Sequence, residues 1–150
     1  MDRLKVLIIH QDSEIKKGIF NILSNFDLDF IYASDGLDGL AAAKYDSPDL
    51  IFCGVNLPVL DGLSLGRMVK NDEVTKSIPL VFLHDGLDFH CLQEARTIDA
   101  KAFLMYPYLD NSLIYAMIRS FKQPVTRIHG VMTSYEQTLH SRTPIHIPLR

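Results

Sequence analysis

Short runs of apolar residues alternate with segments of helical periodicity along the first part of the chain. Residues 5–10 read KVLIIH, a run that is typical of a strand covered on both faces because its apolar stretch is uninterrupted. Residues 12–14 (DSE) form a good N-cap region. Apolar side chains then recur at helical spacing, at Ile15, Ile19, Leu23 and Phe26. The pattern therefore predicts a buried strand followed by a helix.

The same alternation occurs four more times. Further strands are predicted at 29–33, 50–54, 80–84 and 102–106, and further helices at 37–44, 62–69, 87–98 and 111–121. Parallel strands need crossover helices, so five strand–helix units predict a doubly wound α/β domain with a parallel sheet. Such sheets bind ligands at the carboxyl ends of their strands, here near His10, Gly54, His84 and Tyr106.

Composition agrees with one globular domain. The chain has 150 residues, of which 47% are hydrophobic and 22% charged, and this excludes collagen-like, coiled-coil and disordered classes. Cys53 and Cys91 cannot build a disulfide framework and show no zinc-binding spacing. No apolar run approaches the roughly 18 residues of a membrane span, and no signal peptide follows Met1. We therefore expect a cytoplasmic protein that does not contact membranes.

The sign of the net charge changes along the chain near Phe121. Residues 1–121 carry a formal charge of −6, and residues 122–150 carry +3. We place a domain at 1–121 and a C-terminal extension at 122–150. The extension has three prolines and two short apolar pieces, 128–132 and 145–147, so it is either partly ordered against the domain or a partner, or a linker to an output domain. Its charge is too small to indicate nucleic-acid binding.

One segment carries a family resemblance. Residues 48–62, PDLIFCGVNLPVLDG, are similar to the PDLIxxDxxLPxxDG segment of response-regulator receiver domains, the CheY-like family. KVLII at the start, SIPLV at 77–81 and FLMYPY at 103–108, which resembles YLxKPF, support the likeness. The resemblance covers residues 3–121 and implies the flavodoxin-like (βα)5 fold with strand order 2-1-3-4-5. It also implies a role in two-component or phosphorelay signalling.

The resemblance implies phosphoryl transfer from a phosphohistidine to an aspartate that ends the third strand. That chemistry needs Mg²⁺ on acidic side chains, and a hydroxyl and a cation on the phosphoryl oxygens. This sequence departs from the family at each side chain that this chemistry uses. The aspartate is Gly54, the acid pair is His10 and Gln11, the Thr or Ser is His84, and the lysine is Tyr106. These joint departures predict a pseudo-receiver with no catalytic residue, no Mg²⁺ and no aspartyl phosphorylation.

The positions that still match the family are structural ones. They are Asn56, whose backbone carbonyl helps to bind the metal in the family, and Pro58, Asp61, Gly62 and Pro107. Phe103 stands where the family has an aromatic residue that rotates on activation, and we expect it to be a core residue rather than a working switch. Cys53 is expected in the core because strand alternation turns it away from the site.

A second hypothesis reuses the site for a ligand. In the family's strand order His10 and His84 lie two strand spacings apart, about 10 Å, with a gap at Gly54 between them. They could converge with Asp12 or Asp85 on a transition metal or a small ligand, which would make the chain a sensor. The simpler expectation is two partly exposed histidines bonded to loops or water. An enzyme is not expected, since a P-loop and the GxSxG, CxxC and HExxH motifs are absent.

Partner binding is expected at the surface of the fourth helix, fifth strand and fifth helix, which the family uses for contacts. Aromatic side chains there are Phe89, Tyr106, Tyr108 and Tyr115. The predicted partner is a protein, namely a histidine kinase, another regulator or an output domain. A homodimer through the same surface is a further expectation.

Overall fold

Strands and helices alternate from the first described residues onward. In a computed structural model of the chain, the described residues are 3–86, 88–106 and 146–148. The elements are β1 (Leu4–Ile9), α1 (Ser13–Leu23), β2 (Leu28–Ala33), α2 (Gly36–Tyr45), β3 (Leu50–Gly54), α3 (Gly62–Asn71), β4 (Leu80–His84), α4 (Phe89–Ile98), β5 (Ala102–Met105) and β6 (His146–Pro148). The predicted fifth helix, 111–121, lies outside the described residues. None of the described helices is long and apolar enough to cross a membrane.

The sheet has the order β2-β1-β3-β4-β5-β6, and the first five strands are parallel. The predicted flavodoxin-like fold with strand order 2-1-3-4-5 is therefore confirmed. Register pairs Ile9 with Cys53, and it pairs Gly54 with Leu83. Since parallel strands all run the same way, their carboxyl ends meet at one edge of the sheet.

Two hydrophobic clusters cover the two faces of the sheet. One contains Leu7 and Ile9 and packs against α2, α3 and α4; the other contains Val6 and Ile8 and packs against α1. Strand β1 buries alternate residues in opposite layers, which explains why its sequence shows no polar alternation. Cys53 is fully buried in the first cluster, as predicted, and its burial raises the pKa of the thiol.

Each described helix is preceded by an aspartate whose carboxylate accepts backbone N–H groups of the first turn. These N-caps are Asp12, Asp35, Asp61 and Asp88. The cap also explains a difference in α4, which was predicted from residue 87 but begins at Phe89. The Asp88 carboxylate accepts from the backbone N–H groups of His90 and Cys91, so Asp88 itself lies outside the helix.

A sixth strand was not predicted. β6 pairs antiparallel with β5, with Phe103 opposite Ile147. It comes from the C-terminal extension and continues the sheet past β5, where free N–H and C=O groups would otherwise form an edge. The sheet is therefore mixed and not purely parallel. The domain boundary predicted near Phe121 lies outside the described residues.

Candidate functional site

Four departures from the family's site lie at the carboxyl edge of the sheet. His10 follows β1, Gly54 ends β3, His84 ends β4 and Tyr106 follows β5. The backbone N–H of Tyr106 donates to the carbonyl of His84 at 2.9 Å, so the ends of β4 and β5 are fixed side by side. Gly54 lies between the β1 and β4 ends because β3 is the central strand of the parallel five.

The space beside Gly54 is filled by an imidazole. A Cβ added at Gly54 would lie 2.8 Å from Cδ2 and 3.4 Å from Nε2 of His10, and 3.3 Å from Cδ2 of Leu57. Carbon atoms in contact normally lie about 3.5–4.0 Å apart, so no side chain fits at position 54 while His10 keeps this position. The gap expected at Gly54 therefore does not exist, because the ring of His10 occupies it.

His10 is buried, with 4% of its surface exposed, and both of its ring nitrogens have partners. The backbone N–H of Asp12 donates to Nδ1 at 3.0 Å, and Nε2 lies 3.1 Å from the hydroxyl oxygen of Tyr106. Since Nδ1 accepts, the neutral ring carries its proton on Nε2 and donates it to Tyr106. Burial lowers the pKa of His10, which favours this neutral form. The expectation of a partly exposed His10 is wrong, because only 4% of the residue's surface is exposed.

Tyr106 closes the site from the opposite side. Its ring meets the ring of His10 edge to face, with centroids 5.2 Å apart and planes at 79°. Burial, together with Asp85 and Asp12, raises the pKa of the phenol, so the group is neutral at physiological pH. Strand β5 therefore contributes a neutral hydroxyl where the family has a cation. The two side chains meet above the ends of β3 and β4, the strands that separate β1 from β5, and Gly54 leaves room for this contact.

The residues that match the family build the loop between β3 and α3. The backbone N–H of Gly62 donates to the carbonyl of Val55 at 2.9 Å, and a Cβ at Gly62 would lie 1.9 Å from the carbonyl oxygen of Gly54. The carbonyl of Pro58 accepts from the backbone N–H of Gly36 at 3.2 Å. These contacts give the retained positions a structural reason, since glycine alone permits such close backbone approach.

Other members of the predicted set have separate places. Gln11 and Asn56 are exposed. Asp61 caps α3: partial burial raises the pKa of its carboxyl, but hydrogen bonds from Ser64 more than offset this and lower it. Pro107 lies outside the described residues.

Strand β4 ends in an imidazole that packs on the core. The ring of His84 stacks on Phe103, with centroids 5.8 Å apart and planes at 23°. Its Nδ1 lies 3.1 Å from the backbone N of Gly86 and 3.2 Å from Oδ1 of Asp85. To accept from the Gly86 N–H, Nδ1 needs its lone pair, and to donate to Asp85, Nδ1 needs a proton. The neutral ring therefore makes only one of the two hydrogen bonds at a time. Phe103 is fully buried, as expected of a core residue.

The residues at the strand ends do not fit Mg²⁺. This ion takes oxygen ligands, chiefly carboxylates, in octahedral geometry. Gly54 offers no side chain, His10 offers nitrogens that are already bonded, and the carboxylate of Asp12 accepts the backbone N–H of Glu14 at 2.8 Å as a helix cap. The positions where the family carries its acidic metal ligands, His10, Gln11 and Gly54, therefore offer no carboxylate here.

The structure groups a different set of metal-ligating side chains. Among residues 3–86 and 88–106, ligand atoms of His84, Asp88 and Cys91 lie within 4.8 Å of one another. Only His84 of the predicted metal set belongs to this group. Sequence reasoning missed Asp88 and Cys91 because they follow at H-x3-D-x2-C, a spacing that converges only where a strand end turns into a capped helix. Burial and the neighbouring Asp88 raise the pKa of the Cys91 thiol to about 11.

Comparisons with known proteins agree with this architecture. A model of the response regulator receiver domain family matches residues 6–119. Protein PilG of Pseudomonas aeruginosa is 28% identical over 116 residues, which cover 77% of this chain and 86% of PilG. The response regulator PleD of Caulobacter vibrioides is 34% identical over 90 residues, which cover 59% of this chain but 19% of PleD. A structure of a putative response regulator from Chloroflexus aurantiacus superposes with a TM-score of 0.73 at 21% identity, covering 79% of this chain and 97% of that one.

Proposed function

Because this chain belongs to the response regulator receiver domain family, we propose that it is a pseudo-receiver, a signalling module that acts through protein contacts without aspartyl phosphorylation. The observation that carries the proposal is the position of His10. Its buried ring fills the volume that an acceptor side chain at position 54 would need. The chain therefore offers no acceptor side chain at position 54, and the imidazole of His10 occupies the place of one.

Acids near the strand ends do not replace the missing nucleophile. Asp61 engages both of its carboxylate oxygens with Ser64 at the start of α3, and Asp12 engages its Oδ1 in capping α1. Asp85 lies on the loop after β4 beside His84, and its carboxylate is exposed to solvent. None of the three extends from the end of β3, where the family's reaction takes place.

The electrostatic environment is also unsuited to a phosphoryl group. A transferred phosphoryl carries negative charge that cations and metal ions normally stabilise. Here the groups at the site are a neutral imidazole and a neutral phenol, and the carboxylates of Asp12 and Asp85 lie close enough to perturb both. The cation that also perturbs His10 is Lys16 on α1, whose Nζ donates to the Ser34 hydroxyl. A phosphoryl group would meet like charge and no fixed cation from His10 or Tyr106.

Protein contact is the function that remains for such a module. Phe89, the first residue of α4, is strongly exposed, and Tyr106 lies at the border between the site and the surface. A large exposed aromatic residue on a helix end suits a protein interface. The partner is a histidine kinase, another regulator or an output domain, bound through the face that includes α4 and β5. Tyr108 and Tyr115, which were predicted for the same face, lie outside the described residues.

The sensor hypothesis built on His10, His84, Asp12 and Asp85 is not favoured by this geometry. A metal ligand needs a free lone pair, and the one lone pair of neutral His10 accepts the Asp12 backbone N–H. Releasing it would break one of the two hydrogen bonds that hold the His10 ring in place.

Amide NMR of the isotopically labelled chain tests the proposal. Beryllium fluoride mimics a phosphoryl group on a receiver aspartate and requires Mg²⁺ to do so. We expect no saturable shifts at residues 9–12, 53–56 and 83–86 when both reagents are added together. Saturable shifts at these positions that require both reagents would contradict the proposal.

A further inference from the structure

We propose that this chain binds one Zn²⁺ ion at the start of α4, through His84, Asp88 and Cys91. The ligand atoms of the three side chains lie within 4.8 Å of one another. The site lies at the junction of β4 and α4 and does not include Gly54 or His10. It is therefore independent of the pseudo-receiver proposal, and either one can fail without the other.

The donor set suits zinc. Imidazole nitrogen, carboxylate oxygen and thiolate sulfur are its three common protein ligands, at about 2.0–2.3 Å from the ion. Tetrahedral geometry at those lengths places ligand atoms about 3.3–3.8 Å apart. Cys91 Sγ and Asp88 Oδ2 are already 3.4 Å apart, so the third ligand needs a movement of only about 1 Å.

Asp88 can hold the ion without giving up its structural role. Its Oδ1 accepts the backbone N–H groups of His90 at 3.0 Å and Cys91 at 3.3 Å, which caps α4. Its Oδ2 points to the Cys91 thiol instead. One oxygen therefore fixes the carboxylate in place while the other faces the proposed ion, and this is the kind of outer support that orients metal ligands.

The other two ligands are also held by packing. The side chain of His84 is 12% exposed and stacks on the buried ring of Phe103. Cys91 is partly buried and packs against the hydrophobic cluster between the sheet and α4. Ligands placed by a strand end and a helix turn keep their geometry better than ligands on a loop tip.

Binding replaces two hydrogen bonds by bonds to the ion. The neutral His84 ring has one lone pair, so using it for the ion gives up the contact between Nδ1 and the backbone N–H of Gly86. The Cys91 thiol now donates to Asp88; on binding, its proton leaves to solvent and sulfur bonds to the ion as thiolate. Three protein ligands leave a fourth position for water. The softer thiolate and imidazole donors favour Zn²⁺ over Mg²⁺ or Ca²⁺. The ion would tie the end of β4 to the first turn of α4, directly beside the exposed Phe89.

Calorimetry with zinc chloride on the full, reduced chain tests the site. We expect one saturable event per chain, weakened at least about tenfold by Cys91→Ser and by Asp88→Asn. Asparagine is also a good N-cap, so Asp88→Asn keeps the start of α4, and circular dichroism verifies the fold. His90→Gln is the matched control, because His90 is an exposed α4 histidine outside the cluster and should bind as the wild type does.

Cobalt provides a second readout. Co²⁺ bound by thiolate shows an intense sulfur-to-metal charge-transfer absorption, which we expect in the wild type and in His90→Gln but not in Cys91→Ser. The proposal is overturned if no saturable event occurs. It is equally overturned if binding survives Cys91→Ser unchanged, since the metal would then be held elsewhere, for example by histidines of the C-terminal extension.

Discussion

Adding one methyl group at position 54 probes how tightly the site is closed. In most strands Gly→Ala is stabilising by about 0.5–1 kcal/mol, because glycine loses more backbone freedom on folding. At Gly54 the new Cβ would lie 2.8 Å from Cδ2 of His10, about 0.7 Å closer than ordinary carbon contact. His10 is held by two hydrogen bonds, so it cannot move away without weakening them.

The expected cost follows from these opposing effects. Overpacking of a well-packed site costs about 1–3 kcal/mol, which exceeds the backbone gain, so Gly54→Ala should lower the free energy of unfolding by about 1–2 kcal/mol. In a His10→Ala background the obstacle is gone, and the same substitution should be neutral or stabilising by up to about 1 kcal/mol. The two positions should therefore couple by about 1–3 kcal/mol.

Urea unfolding of the two single variants, the double variant and the wild type measures this coupling. A loss of 1–2 kcal/mol corresponds to a midpoint lower by about 0.5–1 M. Gly18→Ala is the matched control: a Cβ there meets nothing within 4 Å, and its helical position predicts stabilisation by about 1 kcal/mol. If Gly54→Ala behaves like Gly18→Ala in the wild-type background, the packing argument is refuted.

Three further predictions concern the same edge of the sheet. Tyr106→Phe leaves the buried Nε2–H of His10 without an acceptor and should cost about 1–3 kcal/mol in urea unfolding; an unchanged midpoint would show that the pair is not bonded. The pKa of His10 is lower in the folded chain than in the unfolded chain, so on acidification the unfolded chain binds the proton first. The free energy of unfolding should therefore be unaffected above pH 6.5 and fall below that pH, by up to about 1.4 kcal/mol per pH unit. His10→Gln should follow a flatter curve, and parallel curves for the two proteins would contradict this. Val59 is 76% exposed at a φ of 71°, which is strained for a β-branched residue, so Val59→Gly should raise the unfolding midpoint slightly. Val74→Gly, at a valine that is 69% exposed and has no positive φ, should lower it, and equal effects would remove the strain argument.

The sheet could be predicted from sequence because each strand is a short apolar run bounded by a capped helix. The run KVLIIH and the aspartate before each helix are local signals that need no knowledge of distant contacts. The strand β6 carried only a weak signal. The short apolar piece at 145–147 was compatible with partial order against the domain or a partner, but it did not predict a strand, because three residues acquire a strand conformation only by pairing with β5. Its antiparallel direction depends on the path of the chain and not on its local pattern.

The candidate site could likewise be predicted only in part. That His10 and Gly54 would lie near one another followed from the fold, but which of them would occupy the space between them did not. That outcome depends on the rotamer of a single imidazole and on its bonds to Asp12 and Tyr106, the latter 96 positions away in sequence. Sequence reasoning therefore expected a gap where the structure has a filled volume.

The set of metal-ligating residues shows a second limit. Cys91 carried no recognisable motif, because its proposed partners differ in type and are separated by a turn. Their proximity depends on where α4 begins, and that point was predicted two residues too early. The cap at Asp88 brings its carboxylate to Cys91 and thereby creates the cluster.

The central claim is that this receiver takes no phosphoryl group, and intact-mass spectrometry tests it most directly. The full chain is incubated with acetyl phosphate and Mg²⁺, and its mass is followed over time. The repacked acceptor position predicts a spectrum that stays at the mass of the unmodified chain. A stoichiometric, hydroxylamine-sensitive adduct of one phosphoryl group, at Asp12, Asp85 or any other carboxylate, would contradict it.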